Sequence, residues 1–215
     1  MYDGDVTKVR ASPLLVTAAI PYTESYSSTL EQKQGKELVD SGKQETHDLL
    51  VFPDAVRIHN VRLSQISMLV HEALEKAGDL TALLKREKMQ STHMKEGYHI
   101  MVCGHAARDV RCGCKGPELL QWLNASTFDK PLTLWISSHL GGHRFAATCI
   151  AYPTGDWFGL LNDPDKAKDM LDAINDEDPL RVYNLWRGRM GLTVQDMHRA
   201  VKERVGRAED VASQA

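Results

Sequence analysis

The chain has 215 residues, enough for one large domain or two small ones with a sizeable core. Its 26 Lys and Arg against 29 Asp and Glu leave a formal net charge of −3, which argues against a general nucleic-acid or anionic-membrane binder. Hydrophobic residues at 42% and charged residues at 26% describe a globular chain and not a disordered one. No apolar run approaches the roughly 18 residues that a membrane span needs.

The four cysteines all lie between positions 103 and 149, too sparse and too local for a disulfide scaffold. They point to a reducing intracellular compartment, cytosol or mitochondrial matrix, and to a local cysteine site. The acidic start, Met1 to Asp5, and the apolar stretch Leu14 to Ile20, closed by Pro21, lack the basic flank of a signal peptide. Residues 22–48 are mostly Ser, Thr, Glu, Gln, Lys and Gly and read as a loop with at most one short helix. Leu49 to Phe52 is a strand stopped by Pro53 and Asp54. Ile66, Leu69, Val70, Ala73 and Leu74 recur at helical spacing, predicting an amphipathic helix that ends near Gly78. The polar stretch Arg86 to Gly97 marks an internal boundary.

Beyond it strands and helices alternate. His99 to Val102 is a strand that runs into Cys103, and Gly116-Pro117 opens a helix with Leu119, Leu120 and Leu123 on one face. Leu132 to Ser137 is a second strand. Phe145 to Tyr152 and Trp157 to Leu161 flank Pro153-Thr154-Gly155-Asp156 as a β-hairpin. Asp163-Pro164 caps a helix with Ala167, Met170, Leu171 and Ile174 inward, and a last helix starts at Thr193. Strand, helix, strand, hairpin and helix in residues 98–176 fit a small α/β domain of thioredoxin-like type. The expected organisation is an N-terminal α/β region over 1–92, a thioredoxin-like domain over 93–192 and a C-terminal helix and tail over 193–215.

Two clusters carry chemistry. Cys103-Gly-His-Ala-Ala-Arg-Asp-Val-Arg-Cys112-Gly-Cys114 follows one predicted strand, and His139-Leu-Gly-Gly-His143 follows another. Ends of neighbouring strands are where loops assemble a site on a rigid sheet. Cys103 and Cys112 are separated by eight residues, a loop able to fold back and present both sulfurs to one centre. Two glycines between the histidines would each cost a helix about 1 kcal/mol, so that segment reads as a tight turn with Gly141 and Gly142 at positive φ. It is not a helical His-Glu-x-x-His protease site. Two thiolates and two imidazoles suit tetrahedral zinc or an iron–sulfur cluster; composition and spacing alone do not choose the metal.

These residues resemble the sucrase/ferredoxin-like family, the bis-histidinyl branch of the thioredoxin-like ferredoxins. The resemblance is carried by Val102-Cys103-Gly104-His105, Arg108-Asp109, Arg111-Cys112-Gly113 and Gly116-Pro117. It continues through Ser138 to Ala146, Tyr152 to Gly159 and Trp186-Arg187-Gly188-Arg189-Met190-Gly191-Leu192. It implies a 2Fe–2S cluster held by Cys103, Cys112, His139 and His143, in an electron-transfer or redox-sensing protein rather than a catalyst. Partners would be redox donor and acceptor proteins, with no nucleic acid and no membrane, and a homodimer is compatible. Two neutral imidazoles in place of thiolates would raise the potential above that of a four-cysteine ferredoxin, and their second ring nitrogens would make it proton-coupled.

Around the four ligands, His105 is a candidate hydrogen-bond support, and Arg108, Asp109 and Arg111 are candidates for charge tuning or docking. Cys114 reads as a bystander and Cys149 as a small buried hydrophobe. Two other readings stay open: the same four ligands binding zinc in a structural or interaction module, and a thiol oxidoreductase using Cys112 and Cys114.

Overall fold

A computed structural model describes residues 15, 17, 19–22, 46–75, 79–107 and 109–213. In chain order it holds strands β1 (Ala19–Pro21), β2 (Thr46–Val51) and β3 (Val56–Arg62), then helices α1 (Leu63–Glu75) and α2 (Leu80–Arg86). Strands β4 (Ser91–His93) and β5 (Tyr98–Cys103), helix α3 (Val110–Ala125) and strand β6 (Leu132–Ser137) follow. A 3-10 turn (His143–Phe145) leads to β7 (Thr148–Tyr152), β8 (Asp156–Gly159) and helix α4 (Pro164–Asn175). A second 3-10 turn (Pro179–Val182), strand β9 (Trp186–Arg189) and helix α5 (Val194–Ser213) complete it. The chain divides into two compact units, Leu30–Glu96, and Met1–Thr29 with Gly97–Ala215.

In the first of these, β2, β3 and β4 form an antiparallel sheet in that order. Ile58 and Val61 from β3 share a core with Leu69 of α1 and Leu83 and Leu84 of α2, and Ile66 packs against it. Ile66 and Leu69 belong to the stripe that the helical spacing predicts, while the side chains of Ala73 and Leu74 lie outside the described residues. Asp79 caps α2 by accepting the Thr81 N–H at 2.8 Å. Asp48 on β2 accepts from Arg57 at 2.7 Å, and His59 bridges Asp48 and Thr92, so three strands share one hydrogen-bonded chain.

In the larger unit the sheet order is β1-β6-β5-β7-β8-β9. All six residues of β5 are buried, which is why Tyr98 to Cys103 reads as an unbroken apolar run with a single histidine. β5 runs parallel to β6 and antiparallel to β7, and β7 and β8 form the predicted hairpin. Leu119, Leu120 and Leu123 of α3 and Ala167, Met170, Leu171 and Ile174 of α4 share one core with Ile100, Val102 and Phe158. Parallel strands joined by α3, then an antiparallel hairpin and α4, make a thioredoxin-like α/β sheet. Asp163 caps α4 through the Lys166 N–H, and Thr193 and Asp196 exchange hydrogen bonds at the start of α5.

Several expectations are corrected. The helix expected to open at Gly116-Pro117 begins at Val110, and Pro117 sits inside it. Asp109 supplies the start by accepting the Arg111 N–H at 2.9 Å. The strand expected from Phe145 begins at Thr148, because His143 to Phe145 form a 3-10 turn. Strands β1, β3, β4 and β9 and helix α2 were not legible. The loop over 22–48 lies mostly outside the described residues, but Thr46 to Asp48 belong to β2.

Candidate metal centre

Cys103 ends the central strand β5, and Cys112 is the third residue of α3. The sequence reading placed Cys112 on a loop; the structure places it in the first helical turn. Both thiols are buried, and they neighbour one another closely enough for Cys103 to act on the Cys112 thiol. Burial first, and then the neighbouring Cys103, push the Cys112 thiol up to about 12. A coordinated cation would reverse that, since a coordinating thiol is deprotonated outright.

Gly116 lets the helix approach the strand this closely, and Gly113 lets it approach the loop that follows the strand. A Cβ on Gly116 would stand 2.4 Å from the Cys103 carbonyl oxygen, and one on Gly113 would stand 2.4 Å from the Ala106 Cβ. Neither glycine was singled out for this in the sequence, although their three-residue spacing on one helix face is visible there.

The histidines come from the turn after β6. Gly141 and Gly142 have φ values of 89° and 63°, as the tight-turn reading requires, and the chain then enters the 3-10 turn at His143. The His139 and His143 rings face one another with centroids 5.7 Å apart. His105 also neighbours His139, 6.3 Å away between ring centroids. The Nδ1 atoms of His105 and His143 are buried without a hydrogen-bond partner, and the Nδ1 of His139 is also buried.

Asp109 stands at the start of α3, paired with Arg111. Its charge is felt at Cys112, and it senses His143 in turn. Arg111 holds it with two side-chain bonds, at 3.0 and 2.8 Å, and this bonding pulls the Asp109 carboxyl down to about 2. Arg108, expected beside it, lies outside the described residues. Cys114 is exposed while Cys112 is buried, so this pair does not face one site. Cys149 is buried beside Met170, its thiol 3.5 Å from the Met170 sulfur, and burial pushes its pKa up.

Among the described residues no group of three or more His, Cys, Asp or Glu stands at metal-holding distances. The donor chemistry nevertheless fits a metal group: two buried, neighbouring thiols, and a buried imidazole nitrogen at His143 with no protein partner to satisfy it. Among the described residues no helix is long and apolar enough to cross a membrane.

The profile of the sucrase/ferredoxin-like family matches residues 7–188, most of the chain. The chain belongs to the sucrase/ferredoxin-like family. Among its relatives, altered inheritance of mitochondria protein 32 of Candida glabrata is 32% identical over 112 residues, covering 46% of this chain and 34% of that protein. The protein of the same name from Kluyveromyces lactis is 51% identical over 75 residues, covering 34% of this chain and 21% of that one. The match thus spans about a third or less of these relatives' length. A solved structure, the thioredoxin-like [2Fe-2S] ferredoxin from Aquifex aeolicus, is 15% identical with a TM-score of 0.38, over 46% of this chain and 98% of that one.

Proposed function

We propose that this sucrase/ferredoxin-like chain is an electron carrier or redox sensor that holds a 2Fe–2S cluster through Cys103, Cys112, His139 and His143. The observation that carries the reading is the neighbouring, buried Cys103 and Cys112 thiols together with a His139–His143 ring pair whose Nδ1 atoms are buried. Such a cluster supplies one-electron transfer. The residues do the rest. Both cysteines are lent by the regular elements β5 and α3, which fixes their separation, and Cys112 in the first turn gains from the positive helix end. The two imidazoles bring no charge of their own, so the centre carries less negative charge than one with four thiolates and accepts an electron more readily.

Each ligating histidine keeps a second ring nitrogen that can hold a proton. Reduction then favours protonation, and the midpoint potential falls as pH rises, by up to about 59 mV per pH unit for one proton and one electron. A potential flat over roughly pH 6–10 in cluster-containing protein would contradict this coupling. Replacing His143 by cysteine keeps a cluster but adds a negative charge, so the potential drops; an unchanged potential in H143C would remove His143 from the ligand set. The thiol-dependent site requires a reducing compartment, and the relatives' name points to mitochondria.

A further inference from the structure

Arg187 on β9 is a half-buried cation with no carboxylate partner among the described residues. Two of its nitrogens donate to the backbone carbonyls of Trp186 at 3.1 Å and Asn184 at 2.7 Å, and its Nε is buried without an acceptor. Its neighbour Arg189 differs: it grips Asp156 with two bonds of 2.9 Å, and Trp186 donates to the same carboxylate at 2.8 Å. Burying a charge without a counter-charge is costly, and burial lowers the Arg187 pKa accordingly.

Arg187 also lines a groove of about 530 Å³ between β9 and α5, together with Tyr183, Trp186, His198 and Lys202, and among the described residues no Asp or Glu lines it. The groove is therefore a local positive site on a chain whose formal net charge is −3. Its position is specific too. The Arg187 guanidinium lies 4.6 Å from the Phe145 ring centre, and Phe145 closes the 3-10 turn that His143 opens.

We propose that this groove docks an acidic segment of the protein with which the chain exchanges electrons, one carboxylate seated on Arg187 and a second on Lys202, with apolar side chains against Tyr183 and Trp186. A partner held there stands one short turn of chain from His143. The proposal rests on the electron-transfer reading for the identity of its partner, and on the groove's charge and shape for the site itself.

The test uses the full chain with its iron content measured, and follows the fluorescence anisotropy of a fluorescein-labelled peptide of alternating glutamate and leucine. The peptide should bind at low ionic strength and weaken as salt is raised. A glutamine–leucine peptide should bind at least tenfold more weakly. Arg187→Gln and Lys202→Glu should each weaken binding at least fivefold, whereas Arg199→Gln, outside the groove, should not. Lys202 is exposed, so Lys202→Glu tests the site even if Arg187→Gln fails to fold. Unchanged binding in Lys202→Glu, or equal binding of the glutamine peptide, would overturn the proposal. Full displacement by millimolar inorganic phosphate would overturn the acidic segment as occupant in favour of a small anion. Iron-loaded chain that ignores the peptide sinks the groove alone; iron-free chain that binds it sinks the electron-transfer reading alone.

Discussion

Gly116 lies so close to Cys103 that a Cβ on it would stand 2.4 Å from the Cys103 carbonyl oxygen. The contact is between backbones, so no side-chain rotation relieves it. It sets how near α3, which carries Cys112, can approach β5, which carries Cys103. Gly116→Ala should destabilise the fold by about 1–3 kcal/mol, the usual cost of forcing extra volume into a packed site. It should also lower the iron bound per chain, because the two thiols move apart. Gly206→Ala, where a Cβ meets nothing within 4 Å, is the control and should leave iron unchanged. Urea unfolding and iron analysis of the two variants check this.

Asp109 gives a prediction in acid. The folded chain holds its carboxyl at about 2, first through the hydrogen bond from Arg111, whereas the ordinary value is 3.8. A carboxyl depressed in the folded state adds stability that is complete above the unfolded value and is lost as pH falls through the folded one. Asp109→Asn can still cap α3 but cannot pair with Arg111. Its stability deficit should therefore be constant near neutral pH and shrink between about pH 4 and pH 2, as followed by circular dichroism during urea titrations. A deficit that stays the same across that window would contradict the role given to the Arg111 pair.

The four cysteines should differ in reactivity. Cys114 is exposed, Cys149 is buried with its pKa raised by burial, and Cys103 and Cys112 are buried. Thiolate character and access together govern alkylation. Iodoacetamide should label Cys114 alone in the native, metal-loaded chain, and all four after unfolding. Peptide mass analysis reads the outcome directly; rapid native labelling of Cys112 would count against a ligand role.

Much of the larger unit was legible because its elements follow local rules. The apolar run Tyr98 to Cys103, the stripe Ala167, Met170, Leu171 and Ile174, the Asp163 cap and the Gly141-Gly142 turn each declare themselves within a few residues. The start of α3 did not, because Gly113 and Pro117 both oppose helix and outweigh the Asp109 cap in a reading by propensity. Packing against the end of β5 needs Gly116, packing against Ala106 in the loop after it needs Gly113, and both requirements are tertiary. Strand β9 was hidden for a similar reason: Trp186-Arg187-Gly188-Arg189 has no apolar alternation, and it is fixed by pairing with β8 and by Arg189 and Trp186 on the buried Asp156. The four candidate ligands were visible as residue types at suggestive spacings, but the pairing of Asp109 with Arg111 at the start of α3 needed coordinates.

The most direct test is the composition and visible spectrum of the chain purified without oxygen. The account predicts a brown protein with about two irons and two acid-labile sulfides per chain, lost on replacing Cys103 or Cys112. Colourless protein carrying stoichiometric zinc, or no metal and a titratable disulfide, would contradict it.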